Sequence, residues 1–253
     1  MGNVVQARVG QAPPRQTPIR GGVPVTVPAV TVNKVCGSGL KAVMLAAQAI
    51  KAGDARVVVA GGMESMSNAP YLLRGHREGV KFGDRSLVDG LIHDGLWCAF
   101  GTCHMGGHAE YTAYKAGVSR EDQDAFALGS HEKAIRAIDG GEFAEEVVPV
   151  HIETRKGTVT IETDEPPRRG TSLEALAKLK PAFAGDAPPE VTEPSVTAGN
   201  APGLNDGGAA TLVTSEAYAA AHGLPVLGRI RAYSVGEIAP RDLFFAPVVA
   251  VRK

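Results

Sequence analysis

The first regular hydrophobic pattern in the chain changes its period near Asn33. Valines at positions 23, 25, 27, 30 and 32 predict an extended segment that ends there, although two prolines interrupt it. From Leu40 to Ile50, apolar residues recur at helical spacing. A polar turn then leads into the short apolar run Val57–Ala60, which is followed by two glycines. Strand, helix and strand in this order predict a βαβ unit with a right-handed crossover and strands buried on both faces.

Residues 67–202 differ from this beginning, because proline, glycine and charged residues become frequent and regular patterns become shorter. We interpret this segment as a large insertion placed over the core sheet. Ser119 and Asp122 are typical of a capping box and predict a helix to about Ile138. The other predicted elements are a half-exposed hairpin at 147–153 and 158–163, a short helix at 172–180, a turn at 203–208, a strand at 209–213, a helix from Ser215 to about His222, a strand at 226–233 and the opening of a helix at 248–253.

Cys36 lies where the extended segment gives way to the helical pattern, so its thiol is expected on a tight turn at or just before a helix N-terminus. Unpaired amide groups and the positive end of the helix dipole favour a thiolate at such a position. Gly37 and Gly39 are expected to let the backbone turn sharply and to let a second group approach the sulfur. This setting suits a nucleophile and indicates acyl transfer through a thioester. The alternative is an inert buried cysteine that packs as a small hydrophobe.

Composition excludes several classes of function. The chain has 253 residues, of which 44% are hydrophobic and 21% charged, so a sizeable buried core is expected. Its formal charge of −1 gives no general electrostatic footprint for nucleic acid or an anionic membrane. We find neither an apolar run long enough to span a bilayer nor the pattern of a signal peptide. Three cysteines indicate a reducing cytoplasm, and the spacing of Cys98 and Cys103 fits no common zinc site, so no metal is expected.

Eight segments, in a fixed order, resemble the thiolase family of acetyl-CoA acetyltransferases and 3-ketoacyl-CoA thiolases. They are Gly2–Ala7, Val32–Leu40, Ala60–Ser67, His104–Gly106, Ser119–Asp124, Lys178–Phe183, Val196–Ala201 and Leu204–Gly207. The resemblance implies an α/β thiolase-like fold that is incomplete, with the first α/β half, an inserted loop domain and almost none of the second half. It also implies a homodimer or homotetramer in the full-length protein.

The resemblance further implies a domain division and a set of site residues. Residues 1–66 and 203–222 would form the N-terminal core half, residues 67–202 the loop domain for coenzyme A binding and oligomer contacts, and residues 223–253 the beginning of the C-terminal half. Cys36 would be the acylated nucleophile, with its own backbone N–H as one oxyanion donor. The expected contacts to coenzyme A and its acyl chain are Leu96, His104, Met105, Arg168, Ala198, Gly203 and Leu204.

The expected activity is Claisen condensation of acetyl-CoA, or thiolytic cleavage of a short 3-ketoacyl-CoA, with acyl-CoA and CoA as substrates and no permanently bound cofactor. The histidine and second cysteine of the family's second half do not occur, so the chain is expected to be a fragment that is inactive alone. Alternatives are a catalytically incompetent CoA-binding module and a ketosynthase-type acyltransferase. Ala175 and Pro202 replace serines common in the family, which puts the CoA contacts there in doubt.

Overall fold

The computed structural model describes residues 1–253 and divides into two compact units. Unit 1 contains residues 1–102, 204–240 and 245–253, and unit 2 contains residues 103–203 and 241–244. The division predicted from the sequence, with boundaries at residues 66, 202 and 222, stays a prediction.

Seven α-helices and eight short strands make up the regular structure. The helices are α1 Pro13–Arg20, α2 Ser38–Ala52, α3 Met105–Ala116, α4 Arg120–Asp139, α5 Leu173–Ala177, α6 Glu216–Ala221 and α7 Ala246–Arg252. The strands are β1 Val57–Ser65, β2 Tyr71–Leu72, β3 Val88–Asp89, β4 Trp97–Cys98, β5 Cys103–His104, β6 Val150–Thr154, β7 Gly157–Ile161 and β8 Asp206–Thr214. Short 3₁₀ turns lie at Met66–Asn68, His76–Glu78 and Pro240–Phe245, and a π-helical turn at Ile92–Leu96. None of the helices combines the length and apolar character that crossing a membrane requires.

The core of unit 1 is a two-layer packing of α2 against the antiparallel pair β1 and β8. Alanines 42 and 46 of α2 meet Ala60 and Val213, which face the helix from the two strands. Val59 and its cross-strand partner Leu212 lie on the opposite face and are half exposed. The prediction of strands buried on both faces is therefore wrong, because α2 covers only one face. Helix, turn and strand follow the predicted order, but β1 continues through the two glycines to Ser65.

The close approach of the β8 backbone explains why a glycine, Gly61, occupies the middle of β1. A Cβ atom at this position would lie 2.0 Å from the carbonyl oxygen of Ala209 and 2.8 Å from the Cα atom of Ala210, both in the backbone of β8. Gly61→Ala is therefore expected to destabilise the chain by about 1–3 kcal/mol, since the strands must separate. Gly207→Ala is the matched control, because its Cβ would enter open space in β8. Urea unfolding compares the two variants, and equal midpoints would contradict the assignment.

The extended segment before Cys36 is not a regular strand. Residues 24–27 form a turn, with the Val27 N–H donating to the Pro24 carbonyl at 3.0 Å. Only Val32 forms a parallel bridge, with Gly2, and Gly2 forms a second parallel bridge with Gly62 of β1. Pro24 and Pro28 have no N–H group for a ladder, so the alternating valines could not form a continuous strand. The N-terminal segment thus lies between residue 32 and β1 and holds the start of α2 in place.

Helices α3, α4 and α5 make up most of the regular structure of unit 2. The capping box at the start of α4 is confirmed, because the Ser119 hydroxyl accepts from the Asp122 N–H and the Asp122 carboxylate accepts from the Ser119 N–H. Strands β6 and β7 form the predicted antiparallel hairpin, but every residue in them is exposed rather than half-exposed. The short helix α5 begins after Ser172, whose hydroxyl accepts from the Ala175 N–H, and ends well before Pro181.

Four predictions for the last fifty residues meet different outcomes. The helix capped by Ser215 is confirmed as α6, and the final helix is confirmed as α7. The turn at 203–208 is too long, because β8 already begins at Asp206. No strand forms at 226–233, where Leu227 is almost fully exposed. Its alternating apolar residues lack a neighbouring backbone with which to form a ladder, and periodicity alone does not supply one.

Candidate functional site

The turn that presents Cys36 is made by Val35. This valine has a φ of 46°, in the left-handed region that a β-branched residue rarely adopts. Cys36 follows it as an exposed free thiol, and Gly37 is the N-cap of α2. The sharp turn was predicted at glycine, but Gly37 has a φ of −85°, so that prediction is wrong. The prediction that the thiol lies just before a helix N-terminus is confirmed.

Side-chain hydrogen bonds hold this turn closed. The Ser38 hydroxyl accepts from the Lys34 N–H at 2.8 Å and donates to the Val35 carbonyl at 2.6 Å. The Asn33 side-chain oxygen accepts from the Val35 N–H at 3.0 Å. A strained conformation persists only where surrounding contacts over-determine it, and these bonds supply such contacts. The sequence pattern gave no role to Val35, Ser38 or Asn33.

A cavity of about 470 Å³ opens beside the thiol within unit 1. Cys36 and Leu96 both line it, so the structure brings together two of the residues expected in the site. The other lining residues are mostly glycine and apolar side chains, namely Gly2, Asn3, Val4, Val5, Val35, Ser38, Gly39, Gly62, Met63, Glu64, Met66, Leu91, Gly95, Gly207, Gly208 and Ala209. Such a lining suits an acyl chain or the apolar part of a thioester.

Glu64 is the only other titratable side chain in the lining, and its carboxylate is already occupied. One oxygen accepts from the N–H groups of Val4 and Val5, at 2.9 and 3.3 Å, and the other accepts from the Asn3 amide at 3.1 Å. These bonds fasten the N-terminal segment to β1, and Asn3 is 2% exposed. Glu64 therefore shapes the cavity wall.

Asp206 fixes the far end of β1, next to the cavity. Its carboxylate accepts from the Ser67 hydroxyl, from the Ser67 N–H at 3.0 Å and from the Ser65 hydroxyl at 3.1 Å. The bond from the Ser67 hydroxyl is the largest cause that lowers the pKa of Asp206 below its ordinary value, followed by the Ser67 backbone N–H.

This pKa shift predicts an acid-sensitive contact. Because the folded pKa is lowered, the stabilisation is present above the ordinary aspartate pKa and is lost as pH falls from there through the folded pKa. Asp206→Asn is expected to lower Tm at neutral pH and to flatten the fall of Tm on acidification. Thermal melts across the acidic range check this. Parallel Tm curves for the variant and the wild type would show that the contact does not titrate as described.

His104 is the N-cap residue of α3 in unit 2, where two contacts fix its ring and one fixes its backbone. Its Nδ1 accepts from the Gly106 N–H at 3.0 Å, and its backbone N–H donates to Asp186 at 2.9 Å. The ring stacks on Phe183 with centroids 4.7 Å apart. A Cβ at residue 106 would lie 2.0 Å from the Phe183 ring, so the close packing requires glycine there. Met105 follows as the first residue of α3 and is half-buried. Because Nδ1 accepts, Nε2 carries the proton of the neutral ring and can donate.

Ala198 lies on a loop that a buried carboxylate holds. Glu110 is 1% exposed, and its oxygens accept from the Ser195 N–H at 2.7 Å and the Val196 N–H at 2.9 Å. Asn200 closes the loop by accepting from the Thr197 N–H at 2.7 Å. Ala198 itself is exposed between these fixed points. The sequence gave no signal for Glu110, since its partners are backbone groups about 85 residues away.

The remaining expected residues lie on exposed chain. Arg168 is in the loop between β7 and α5, and its backbone N–H donates to His131 Nδ1 at 3.2 Å. The neighbouring Arg169 pairs with Asp139, which raises the pKa of the arginine and lowers that of the carboxyl. Gly203 ends the long segment of unit 2, and Leu204 begins the return to unit 1, where it is not among the cavity-lining residues. No group of three or more histidine, cysteine, aspartate or glutamate residues is placed to hold a metal ion.

The chain is similar in sequence and structure to known proteins. The family model for the thiolase N-terminal domain matches residues 1–217. An acetyl-CoA acetyltransferase of Pseudomonas aeruginosa is 54% identical over all of this chain and 63% of its own length. An acetyl-CoA acetyltransferase of Cupriavidus necator is 50% identical, with the same coverage. The crystal structure of the Bacillus anthracis acetyl-CoA acetyltransferase matches with a TM-score of 0.91 at 38% identity, over 100% of this chain and 62% of that one. The chain thus spans about 63% of the length of these curated relatives.

Proposed function

Because the chain belongs to the thiolase family and carries its N-terminal domain, we propose that Cys36 is the acyl acceptor of a CoA-dependent acyltransferase. The observation that carries the proposal is the exposed Cys36 thiol, held on the left-handed Val35 turn at the mouth of an apolar cavity. The curated relatives are named acetyl-CoA acetyltransferases, which favours an acetyl group or another short acyl group.

The proposed first step is a thioester exchange. The Cys36 sulfur attacks the carbonyl carbon of acetyl-CoA, and the bond from that carbon to the CoA sulfur breaks. The products are an acetylated Cys36 and free CoA, whose sulfur takes up the proton that the cysteine lost. The Cys36 backbone N–H is proposed as one donor to the carbonyl oxygen as it becomes negative. The N–H groups of Gly37 and Ser38 already donate to the Lys34 and Val35 carbonyls. The cavity beside the thiol shields the short acyl chain from water.

The proposed second step joins two acetyl groups. A carbanion at the α-carbon of a second acetyl-CoA attacks the acetyl carbonyl on Cys36, so a carbon–carbon bond forms and the bond to the sulfur breaks. The α-proton ends on the Cys36 thiol, and the product is acetoacetyl-CoA. This step needs a base, and the cavity lining of unit 1 offers only Glu64, whose oxygens are occupied. We therefore propose that the chain alone performs the first step faster than the second.

His104 and Met105 are proposed as contacts to CoA and its acyl chain. The proton on His104 Nε2 gives this side chain a donor for a carbonyl oxygen of the ligand. Ala198, Gly203, Leu96 and Leu204 are proposed as walls for the pantetheine arm. Arg168 is proposed for the nucleotide end of CoA, since a guanidinium group can stack on a base and pair with phosphate.

Isotope exchange tests the first step without requiring the second. Labelled CoA is incubated with unlabelled acetyl-CoA and the chain, and incorporation of label into acetyl-CoA is followed. A covalent acyl-enzyme predicts exchange in the absence of any other acceptor, as in ping-pong kinetics. If CoA protects Cys36 from alkylation but no exchange occurs, the chain binds CoA without acyl transfer. If neither is seen, the proposed function is wrong.

A further inference from the structure

We propose that Ser38 is a positioning residue for Cys36, holding the strained turn that presents the sulfur. The inference rests on the proposed function, because it concerns the same thiol. Ser38 is 4% exposed, whereas Val35 and Cys36 before it are exposed. A buried hydroxyl behind an exposed thiol is well placed to fix the direction in which the thiol points.

The hydroxyl of Ser38 acts on the turn and does not cap the helix. Ser38 is the first residue of α2, and no side chain caps this helix. Its hydroxyl instead accepts from the Lys34 N–H and donates to the Val35 carbonyl, so both bonds reach back across Cys36. They close a five-residue loop, residues 34–38, whose centre is the thiol.

This loop needs such bonds because Val35 is left-handed. A β-branched residue at a φ of 46° tends to return to an ordinary backbone conformation, and that change would swing the next residue away. The Ser38 hydroxyl and the Asn33 side chain bond the carbonyl and the N–H of Val35 respectively. Both peptide groups that flank the strained residue are thus held.

The N-terminal segment fixes Ser38 from behind. A Cβ atom at Gly2 would lie 2.7 Å from the Ser38 carbonyl carbon and Cβ atom, so the two backbones are in direct contact. Gly2 in turn bonds to β1, through its N–H to the Gly61 carbonyl at 2.7 Å. Ser38 therefore packs against Gly2, which is itself bonded to β1, while its hydroxyl holds the thiol turn.

The test compares Ser38→Ala and Ser38→Thr with the wild-type chain. The measurements are the rate of Cys36 alkylation by iodoacetamide over the pH range in which thiols titrate, and the kinetics of CoA exchange. Ser38→Ala is expected to slow both by about tenfold, with the loss in kcat and not in the KM for acetyl-CoA, since misplacement of a reacting atom costs rate. Ser38→Thr retains the hydroxyl and is expected to restore most of the rate.

Two further variants separate positioning from general destabilisation. Ser215→Ala removes the hydroxyl that caps α6 in the same unit, so it is expected to lower Tm and leave Cys36 alkylation unchanged. Val35→Gly places a residue that adopts positive φ readily. In that background Ser38→Ala is expected to slow alkylation far less than in the wild type, because the turn no longer needs to be held. If Ser38→Ala alone does not fold, alkylation rates are compared between Val35→Gly and the double variant instead.

The outcomes distinguish this inference from the proposed function. Equal alkylation and exchange rates for Ser38→Ala and the wild type would overturn the role of Ser38 and leave the nucleophile in place. An equal effect of Ser38→Ala in both backgrounds would also overturn it. A wild-type chain that shows no exchange, but whose alkylation slows in Ser38→Ala, would support the positioning role and reject acyl transfer.

Discussion

Cys36→Ser is expected to reduce CoA exchange to the background rate while leaving the fold intact. A serine hydroxyl on the same turn stays protonated, and the cavity lining offers no unoccupied base to activate it. The side chain of Cys36 is exposed, so the loss of the sulfur costs little packing. The change in the free energy of unfolding is expected to stay within about 0.5 kcal/mol. Exchange kinetics and urea unfolding of the same preparation measure both effects.

Cys98→Ala provides the matched control for this experiment. Cys98 is a buried thiol whose sulfur accepts from the Gly101 N–H at 3.2 Å. Its replacement is expected to lower stability and to leave the exchange rate constant of folded chains unchanged. Exchange that survives in Cys36→Ser, or that disappears in Cys98→Ala, would show that the reactive sulfur is not that of Cys36.

Glu110→Ala is expected to destabilise unit 2 by about 2–4 kcal/mol, because it leaves two backbone N–H groups without an acceptor. These groups belong to Ser195 and to the buried Val196. The loss of stability should be greatest in the loop that contains Ser195 and Val196. Hydrogen exchange at the Val196 amide is expected to accelerate more than exchange in α2, and urea unfolding measures the total change.

Two comparisons make this prediction specific. Glu110→Gln retains one acceptor oxygen and is expected to lose roughly half as much stability. Glu132→Ala removes an exposed carboxylate from α4 and is expected to change stability by less than about 0.5 kcal/mol. If Glu110→Ala unfolds at the same urea concentration as Glu132→Ala, the buried carboxylate does not hold the loop that carries Ala198.

The elements that could be predicted from the sequence are those set by local chemistry. The α4 capping box is encoded by Ser119 and Asp122, three residues apart, and the helix after Cys36 by apolar residues at helical spacing. The hairpin of β6 and β7 depends on a turn of two residues between its strands. In each case the interacting groups are neighbours in the chain, so pattern and structure agree.

The features that the sequence could not supply depend on distant backbone groups. Strand β1 pairs with β8, which lies more than 140 residues further along the chain, and no local pattern fixes that register. Glu110 bonds to peptide groups of another loop, and a lone glutamate in a helix gives no sign of this. The sharp turn was expected at Gly37 and Gly39, and the sequence gave no sign of a left-handed Val35, because a valine with positive φ is stable only when hydrogen bonds hold it.

The most direct test is to locate the acetyl group after brief incubation of the chain with acetyl-CoA, by mass spectrometry of its peptides at a pH that preserves thioesters. The account predicts one acetyl group per chain, on the peptide that contains Cys36, and its removal by added CoA. A chain that stays unmodified at Cys36, or that carries the acetyl group only at Cys98 or Cys103, would contradict it.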